Sequence, residues 1–266
     1  MIAIHLTREG AALAGIDVGD GPVLAFQHGL GGDEAQVAEV IPHGLCRRLT
    51  LECRAHGLSQ AGDPSRFSLA TFADDILAFL DRRGVQRFAV GGVSMGAALA
   101  LRIAVQNPAR ATALILGRPA WLWDRAPANM QPFVEVAHCL ARGGREAFEA
   151  SPTARALSVA APDNLASLLK FFDRPDSAIA SQLLNAIAID GPGISETDLR
   201  ELRLPTLVIG NAIDWVHPLD HAIKLAAVIP NARFVEITPK AANKPRHTEE
   251  FRAAVANFLK QEKISP

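Results

Sequence analysis

The chain has 266 residues, a formal net charge of −1 at pH 7 and 49% hydrophobic residues. These values predict a globular protein with a sizeable core and argue against a nucleic-acid partner or a polybasic membrane surface. Cys46, Cys53 and Cys139 lack the spacing of a disulfide framework or a zinc site, so we expect no metal and no cofactor. We find no signal-peptide pattern and no apolar run long enough to span a membrane, and therefore expect a cytoplasmic protein.

The first half of the chain predicts strands that alternate with helices. An edge hairpin over residues 2–6 and 11–17 comes first, followed by strands over 23–27, 45–53, 88–91 and 113–117 and helices over 34–40, 68–83 and 97–106. Short, continuously apolar strands are expected where both faces of a sheet are covered. The alternation predicts the α/β class, with a mostly parallel central sheet flanked by helices.

The second half begins with a stretch that has no strong strand pattern. Helical segments over residues 129–142, 144–151, 163–172 and 176–189 are separated by prolines. We expect an inserted helical cap, or lid, over residues 119–199, with a core of residues 1–118 and 200–266; a small helical domain without a role at the site is the alternative. The core pattern resumes with strands over 205–210 and 232–237 and helices over 219–228 and 247–261.

Gly92-x-Ser94-x-Gly96 lies between a predicted buried strand and a predicted helix. This is the spacing of a nucleophile elbow, a sharp turn that exposes a serine hydroxyl. Glycines on either side remove Cβ atoms that would collide with neighbouring backbone. The following helix directs its first N–H groups at any anion that develops beside the serine. The pattern predicts an activated Ser94.

An acid and a base follow in the order that an elbow serine requires. Asp214 comes after the strand over residues 205–210, and His247 just precedes the last helix. Other histidines that could serve are His28, His56, His217 and His221, of which the last two are expected on the surface of a helix entry. Other acids that could serve are Asp124, Asp190 and Asp220.

Together these motifs resemble those of the α/β-hydrolase superfamily, near its carboxylesterases, lactonases and C–C hydrolases. The resemblance covers nearly all of the chain outside the predicted cap and rests on His28-Gly29, Arg54-Ala55-His56-Gly57-x-Ser59, the elbow, Gly210…Asp214…Pro218 and His247…Phe251. It implies an α/β-hydrolase fold with Ser94 as nucleophile, His247 as general base and acid, and Asp214 as the group that orients the imidazole. It also implies an oxyanion hole made by the backbone N–H groups of Leu30 and Met95.

Two positions depart from the family pattern: Ala55 stands where glycine is usual, and Arg246 precedes His247 where glycine is usual. The stretch over residues 239–246 is also more basic than the common version. It is read either as a solvated loop or as a source of cations, Lys240, Lys244 or Arg246 together with Arg118 or Arg125, that attract a substrate carboxylate.

Selectivity is expected to come from residues around the elbow and in the cap. The candidate substrate-binding residues are His28, Arg118, Trp121, Trp123, Phe133 and Trp215. The aromatic residues of the cap are equally compatible with packing of the cap onto the core.

The function expected first is that of a serine hydrolase that cleaves a small carboxylic ester or lactone through an acyl-enzyme. The alternatives are hydrolysis of a C–C bond in a dienoic or diketo acid by the same triad, and a non-catalytic ligand-binding protein on the same fold. The expected partner is a small molecule, with or without a carboxylate, and the chain is expected to be a monomer or a homodimer.

Overall fold

A single sheet organises the computed structural model, which describes residues 2–41 and 43–264. Residues 1, 42, 265 and 266, which fall within the predicted core limits, lie outside the described residues. The strands of the described part are β1 (Ile2–Arg8), β2 (Ala11–Val18), β3 (Val23–Gln27), β4 (Arg47–Leu51), β5 (Phe88–Val93), β6 (Ala111–Gly117), β7 (Thr206–Gly210) and β8 (Ala232–Glu236).

The order of the strands is β1-β2-β4-β3-β5-β6-β7-β8. β1 pairs with β2, and β2 with β4, in antiparallel orientation, whereas all later neighbours are parallel. The parallel strands therefore end at one edge, where the loops that follow β3, β5, β6, β7 and β8 come together. The predicted α/β class with a mostly parallel sheet is confirmed.

The sheet separates two apolar clusters because successive side chains of a strand point to opposite faces. Val90 of β5 belongs to the cluster on one face, and its neighbour Ala89 to the cluster on the other. The helices that cover the sheet are α1 (Glu34–Val40), α2 (Leu69–Arg82), α3 (Met95–Gln106), α10 (Leu219–Val228) and α11 (Lys244–Gln261).

Six further helices lie between β6 and β7 in the chain: α4 (Gln131–Arg142), α5 (Gly144–Glu149), α6 (Pro152–Ala160), α7 (Pro162–Leu169), α8 (Ser177–Ala188) and α9 (Glu196–Glu201). The sequence analysis did not predict α6 or α9. Both begin at serines whose side chains accept a hydrogen bond from the first turn, Ser151 from the Ala154 N–H and Ser195 from the Asp198 N–H. Large residues of this segment, such as Phe148 and Leu157, belong to the same apolar cluster as α2 and α3.

The last helix begins three residues earlier than predicted. Asn243 caps it by accepting a hydrogen bond from the Arg246 N–H at 3.0 Å, and Pro245 lies in its first turn. A proline is well tolerated there because the first N–H groups of a helix have no partner within the helix. His247 therefore lies in the first turn of α11 and not in the loop before it.

No helix in the described part of the chain combines the length and the apolar character needed to cross a membrane.

Candidate active site

Ser94 occupies a sharp turn between β5 and α3. Its φ is 58° and its ψ is −113°, a region that L residues rarely adopt and that costs free energy unless neighbouring contacts hold it. The Ser94 N–H donates to the carbonyl of Gly117 at 2.9 Å, which fixes the turn to the end of β6. The side chain is thereby held at the carboxyl edge of the sheet, where the loops converge.

The two glycines of the elbow are required by close backbone contacts. A Cβ at Gly92 would lie 2.3 Å from the carbonyl carbon of Gly96, and one at Gly96 would lie 2.3 Å from the carbonyl oxygen of Gln27. Distances below 3 Å force the backbone to move. The spacing of the motif therefore reflects contact between the turn, its helix and the end of β3.

The loop after β3 lies directly against the serine. A Cβ at Gly29 would be 3.2 Å from the Ser94 Cβ. Three N–H groups of this loop have acceptors: Gly29 donates to the Gln36 side chain, Gly31 to the His56 ring and Gly32 to the Gly29 carbonyl.

Two N–H groups near the serine remain available. No described residue accepts a hydrogen bond from the Leu30 N–H, which lies between the bonded N–H groups of Gly29 and Gly31, and Met95 is the first residue of α3 and has no acceptor within its helix. These are the two groups that the resemblance to α/β-hydrolases implies for an oxyanion hole.

The rings of His28 and His56 hold the loop after β3 in place through hydrogen bonds to backbone groups. His28 accepts from the Cys53 N–H through Nε2 at 3.0 Å and donates from Nδ1 to the Gly29 carbonyl at 2.9 Å. His56 accepts from the Gly31 N–H through Nε2 and donates from Nδ1 to the Arg54 carbonyl. Burial lowers the pKa of His28 to about 4 and the pKa of His56 well below its usual value, so both rings stay neutral.

His28 was expected among the substrate-binding residues. It is fully buried, and both ring nitrogens are bound to backbone, so the structure gives it a role in holding the loop.

His247 projects from the first turn of α11 and is 5% exposed. Its Nδ1 donates to the carbonyl of Thr238, just past β8, at 2.8 Å, which leaves Nε2 as the free lone pair. Burial, helped by the positive charge of Arg118, lowers the pKa of His247 below its usual value. A neutral imidazole with a free Nε2 is the form that a general base requires. Sequence reasoning did not identify Thr238, because a backbone carbonyl leaves no residue-type signal.

Asp214 is bound by two other side chains. Its Oδ2 accepts from Nε and Nη2 of Arg118 at 2.9 and 2.6 Å. Its Oδ1 accepts from the backbone N–H and from Nδ1 of His217 at 3.1 and 2.8 Å. Burial alone raises the pKa of Asp214, but the charges and hydrogen bonds of Arg118 and His217 outweigh it, and the pKa is well below the usual range.

Asp214 and His247 therefore form no hydrogen bond in this structure, although the sequence analysis paired them. His217 was expected on the surface, but its side chain is only 10% exposed and is bound to Asp214. The loop that carries Asp214 and His217 is held by Asn164 of α7, whose Oδ1 accepts hydrogen bonds from the Trp215 and Val216 N–H groups. A residue between β6 and β7 thus positions the candidate acid.

The other candidate acids lie in different surroundings. Asp190 accepts from the Leu69 N–H and pairs with Arg125, and both Asp124 and Asp220 are exposed. None of these three has a hydrogen bond to His247 among the described residues.

The aromatic candidates have different surroundings. Trp121 is fully buried, with its indole N–H donating to the Asp190 carbonyl, so it packs the segment after β6 and has no surface for a ligand. Trp123 is partly exposed beneath Lys224, and Trp215 is 45% exposed. Phe133 makes an edge-to-face contact with Phe171 at 6.0 Å between ring centroids.

The cations of the basic loop are paired and point in different directions. Lys240 pairs with Asp163 at 3.0 Å, Lys244 with Glu39 at 3.5 Å and Arg246 with Glu250 at 2.7 Å. Of these three, only Lys240 lines the cavity of about 450 Å³ that also contains Leu30 and Phe171. Within residues 2–41 and 43–264, no group of three or more His, Cys, Asp or Glu side chains is placed to hold a metal ion.

Comparisons with known proteins agree with this architecture. Residues 22–139 match the family described as alpha/beta hydrolase fold. The "Putative carbamate hydrolase RutD" of Klebsiella pneumoniae (strain 342) is 29% identical over 243 residues, which is 81% of this chain and 82% of that protein. The 2-hydroxymuconate semialdehyde hydrolase of Pseudomonas putida is 27% identical over 219 residues, 76% of this chain and 73% of that one.

Two solved structures superimpose over almost the whole chain. A hydrolase from Pseudomonas aeruginosa PA01 has a TM-score of 0.71 and 25% identity, with 97% of this chain and 98% of that chain covered. The enol-lactonase from Burkholderia xenovorans LB400 has a TM-score of 0.74 and 21% identity, with 97% and 100% covered. With the sheet order and the strand–turn–helix at Ser94, these matches confirm the resemblance stated from the sequence and show that the protein has the α/β-hydrolase fold.

Proposed function

We propose that the protein is a serine hydrolase that cleaves a small carboxylic ester or lactone through an acyl-enzyme. The observation that carries the proposal is the geometry at Ser94. The residue holds a positive φ at the carboxyl edge of the sheet, with the free N–H groups of Leu30 and Met95 beside it. Such strain persists where surrounding contacts over-determine it, and nucleophile elbows are a known setting.

We assign one group of the protein to each step of the reaction. His247 takes the Ser94 proton through Nε2 as the oxygen attacks the carbonyl carbon of the substrate. The resulting oxyanion accepts hydrogen bonds from the Leu30 and Met95 N–H groups, each worth about 3 kcal/mol in the transition state. His247 returns the proton to the leaving oxygen as the C–O bond breaks. Water, deprotonated by His247, then attacks the acyl ester and restores Ser94.

The imidazolium that forms in these steps needs a negative charge nearby. Asp214 contributes it: its ionised carboxylate acts to raise the pKa of His247 even without a hydrogen bond between them, although burial and the charge of Arg118 lower that pKa by more. We propose Asp214 as the third member of the triad, in the role that the family resemblance implies.

The helices between β6 and β7 are proposed as the cap over residues 119–199. A Cβ at Gly31 would lie 2.5 Å from Phe171 Cζ, so this segment rests directly on the loop that carries the Leu30 N–H. Phe171 in turn contacts Phe133. The proposed cap therefore restricts access to the serine and selects a small-molecule substrate.

Hydrolysis of a C–C bond is the second candidate, because one relative is named a 2-hydroxymuconate semialdehyde hydrolase. The same serine, base and oxyanion donors would serve that reaction. A third candidate, a binding protein without activity, is separated from both by a test of the nucleophile.

The test is labelling by a fluorophosphonate probe, followed by turnover of 4-nitrophenyl esters, lactones and a coloured dienoic acid. We expect the wild-type protein to be labelled and Ser94→Ala to be unlabelled and inactive. We further expect ester or lactone turnover to exceed that of the dienoic acid. Folded wild-type protein that is not labelled would contradict the serine-hydrolase proposal, and faster turnover of the dienoic acid would favour the second candidate.

A further inference from the structure

Arg118 is the residue that takes the place of His247 as the partner of Asp214. It directly follows Gly117, whose carbonyl accepts from the Ser94 N–H, so it begins at the reacting centre. Its backbone has a φ of 46°, unusual for a residue with a side chain. Its side chain is 11% exposed, and that of Asp214 is 1% exposed.

The Asp214 carboxylate has no capacity left for His247 in this arrangement. A carboxylate offers about four acceptor positions, and Asp214 receives four hydrogen bonds, two from Arg118 and two from His217. His247 correspondingly donates from Nδ1 to a neutral acceptor, the Thr238 carbonyl. A hydrogen bond between Asp214 and His247 requires one of these partners to leave.

Arg118 is the partner that a ligand can remove. Its Nη1 has no acceptor among the described residues, and a guanidinium binds a carboxylate with two parallel hydrogen bonds when a second nitrogen is available. His217, by contrast, is held by its own backbone N–H to the same Asp214 oxygen.

We propose that Arg118 gates the triad for substrates that carry a carboxylate. The carboxylate of the substrate binds the Arg118 guanidinium, Asp214 is released from it, and the freed Asp214 oxygen accepts a hydrogen bond from the Nδ1–H of His247. The substrate thereby completes its own catalytic site, and neutral esters meet a base oriented by the Thr238 carbonyl alone. The proposal rests on the serine-hydrolase function proposed above.

The proposed gate and simple attraction of an anion predict changes in different kinetic constants. An Arg118 that only attracts the substrate changes KM, whereas a gate that assembles the triad changes kcat. The half-esters of 4-nitrophenol with succinate, glutarate and adipate, compared with the neutral butanoate, pentanoate and hexanoate of equal chain length, separate the two effects.

We expect the wild-type enzyme to turn over at least one half-ester with a kcat about 10- to 100-fold above that of its neutral counterpart, the range of one charge-assisted hydrogen bond. In Arg118→Leu, Asp214 is free to accept from His247 with every substrate, so this preference is lost because kcat for the neutral ester rises toward that for the half-ester. Arg118→Lys keeps the positive charge but lacks the paired N–H donors of a guanidinium, and its kcat preference should lie between those of the wild type and Arg118→Leu. Arg200→Leu, which removes an exposed charge on α9, behaves as wild type.

A second readout needs no turnover. Free glutarate should shift the His247 Nδ1 proton strongly downfield in the NMR spectrum of the wild-type protein, because its acceptor changes from a carbonyl to a carboxylate. Arg118→Leu should show the shifted proton without glutarate.

The gate is overturned if folded Arg118→Leu loses activity equally on both ester series, if the wild type shows no kcat preference, or if the Nδ1 proton does not respond to glutarate. Loss of fluorophosphonate labelling at Ser94 is a separate result that overturns the serine-hydrolase proposal itself.

Discussion

The backbone of the proposed nucleophile and the ring of the proposed base are each held by a hydrogen bond to a backbone carbonyl. Ser94 is fixed through Gly117, and His247 through Thr238. The Leu30 N–H is available because its neighbours on the loop are committed to Gln36, His56 and Gly29. Backbone carbonyls and N–H groups cannot change charge or rotamer, so the orientation of these groups costs little free energy during the reaction.

Substitution of His56 tests whether the hydrogen bonds that hold the loop beside Ser94 affect the rate. His56→Leu leaves the Gly31 N–H without an acceptor and lets the loop move away from Ser94. Because small displacements of catalytic groups reduce rates strongly, we expect kcat on a neutral ester to fall up to about 100-fold. His56→Gln keeps an acceptor and should recover much of the loss. Equal activity of the Leu and Gln variants at equal thermal stability would contradict the role assigned to the hydrogen bond.

At the level of elements, two helix beginnings hold residues of the proposed site. α3 begins immediately after Ser94 and presents the Met95 N–H, and α11 begins at Lys244 and presents His247 one turn later. Because helix ends leave N–H groups unpaired, the cap that fixes the start of α11 also fixes the direction of the His247 ring.

Removal of that cap should affect both stability and rate. Asn243→Ala removes the acceptor of the Arg246 N–H and should lower the free energy of unfolding by about 1 kcal/mol. It should also lower kcat, since the first turn of α11 frays. Ser195→Ala removes a comparable cap from α9, away from His247, and should cost similar stability without loss of kcat. Denaturant unfolding and ester turnover of both variants provide the measurements, and an equal loss of kcat in the two would contradict the assignment.

The whole molecule keeps several histidines neutral by burial. The pKa of His28 is about 4 in the folded chain, against about 6.5 when unfolded, so the unfolded chain binds more protons between these values. Stability from this group is fully present above pH 6.5 and is lost as the pH falls toward 4. The other buried histidines, with lowered pKa values, act in the same direction.

We therefore expect the free energy of unfolding to decrease on acidification from pH 7.5 to 4.5, with His28 alone contributing roughly 3 kcal/mol over its full range. Urea unfolding across this range measures the slope. His28→Gln, which does not titrate, should flatten the curve, whereas His43→Gln, at an exposed position, should leave it unchanged. If the free energy of unfolding of His28→Gln changes with pH as steeply as that of the wild type, the assignment to His28 is wrong.

The sequence by itself determined the α/β class, the approximate strands of the parallel sheet and the elbow at Ser94. Each of these depends on local information: apolar runs, turn residues, and glycines that permit close backbone contact. The order of the motifs and the resemblance to α/β-hydrolases together singled out Ser94, Asp214 and His247 as candidates among the serines, acids and histidines of the chain, and their roles remain proposals. The short helices α6 and α9 were missed because their serine caps precede segments with weak periodicity.

The tertiary structure decided which groups touch. Arg118 reaches Asp214 from the end of the neighbouring strand β6, His217 reaches it from within the same loop, and Thr238 reaches His247 from just past β8. The contact of Arg118 with Asp214 joins residues that are distant in sequence, and the acceptor of His247 is a backbone carbonyl, so no residue pattern indicates either. Burial of His217 and Trp121 was also beyond the sequence, because the side chains that cover a residue come from elements elsewhere in the chain.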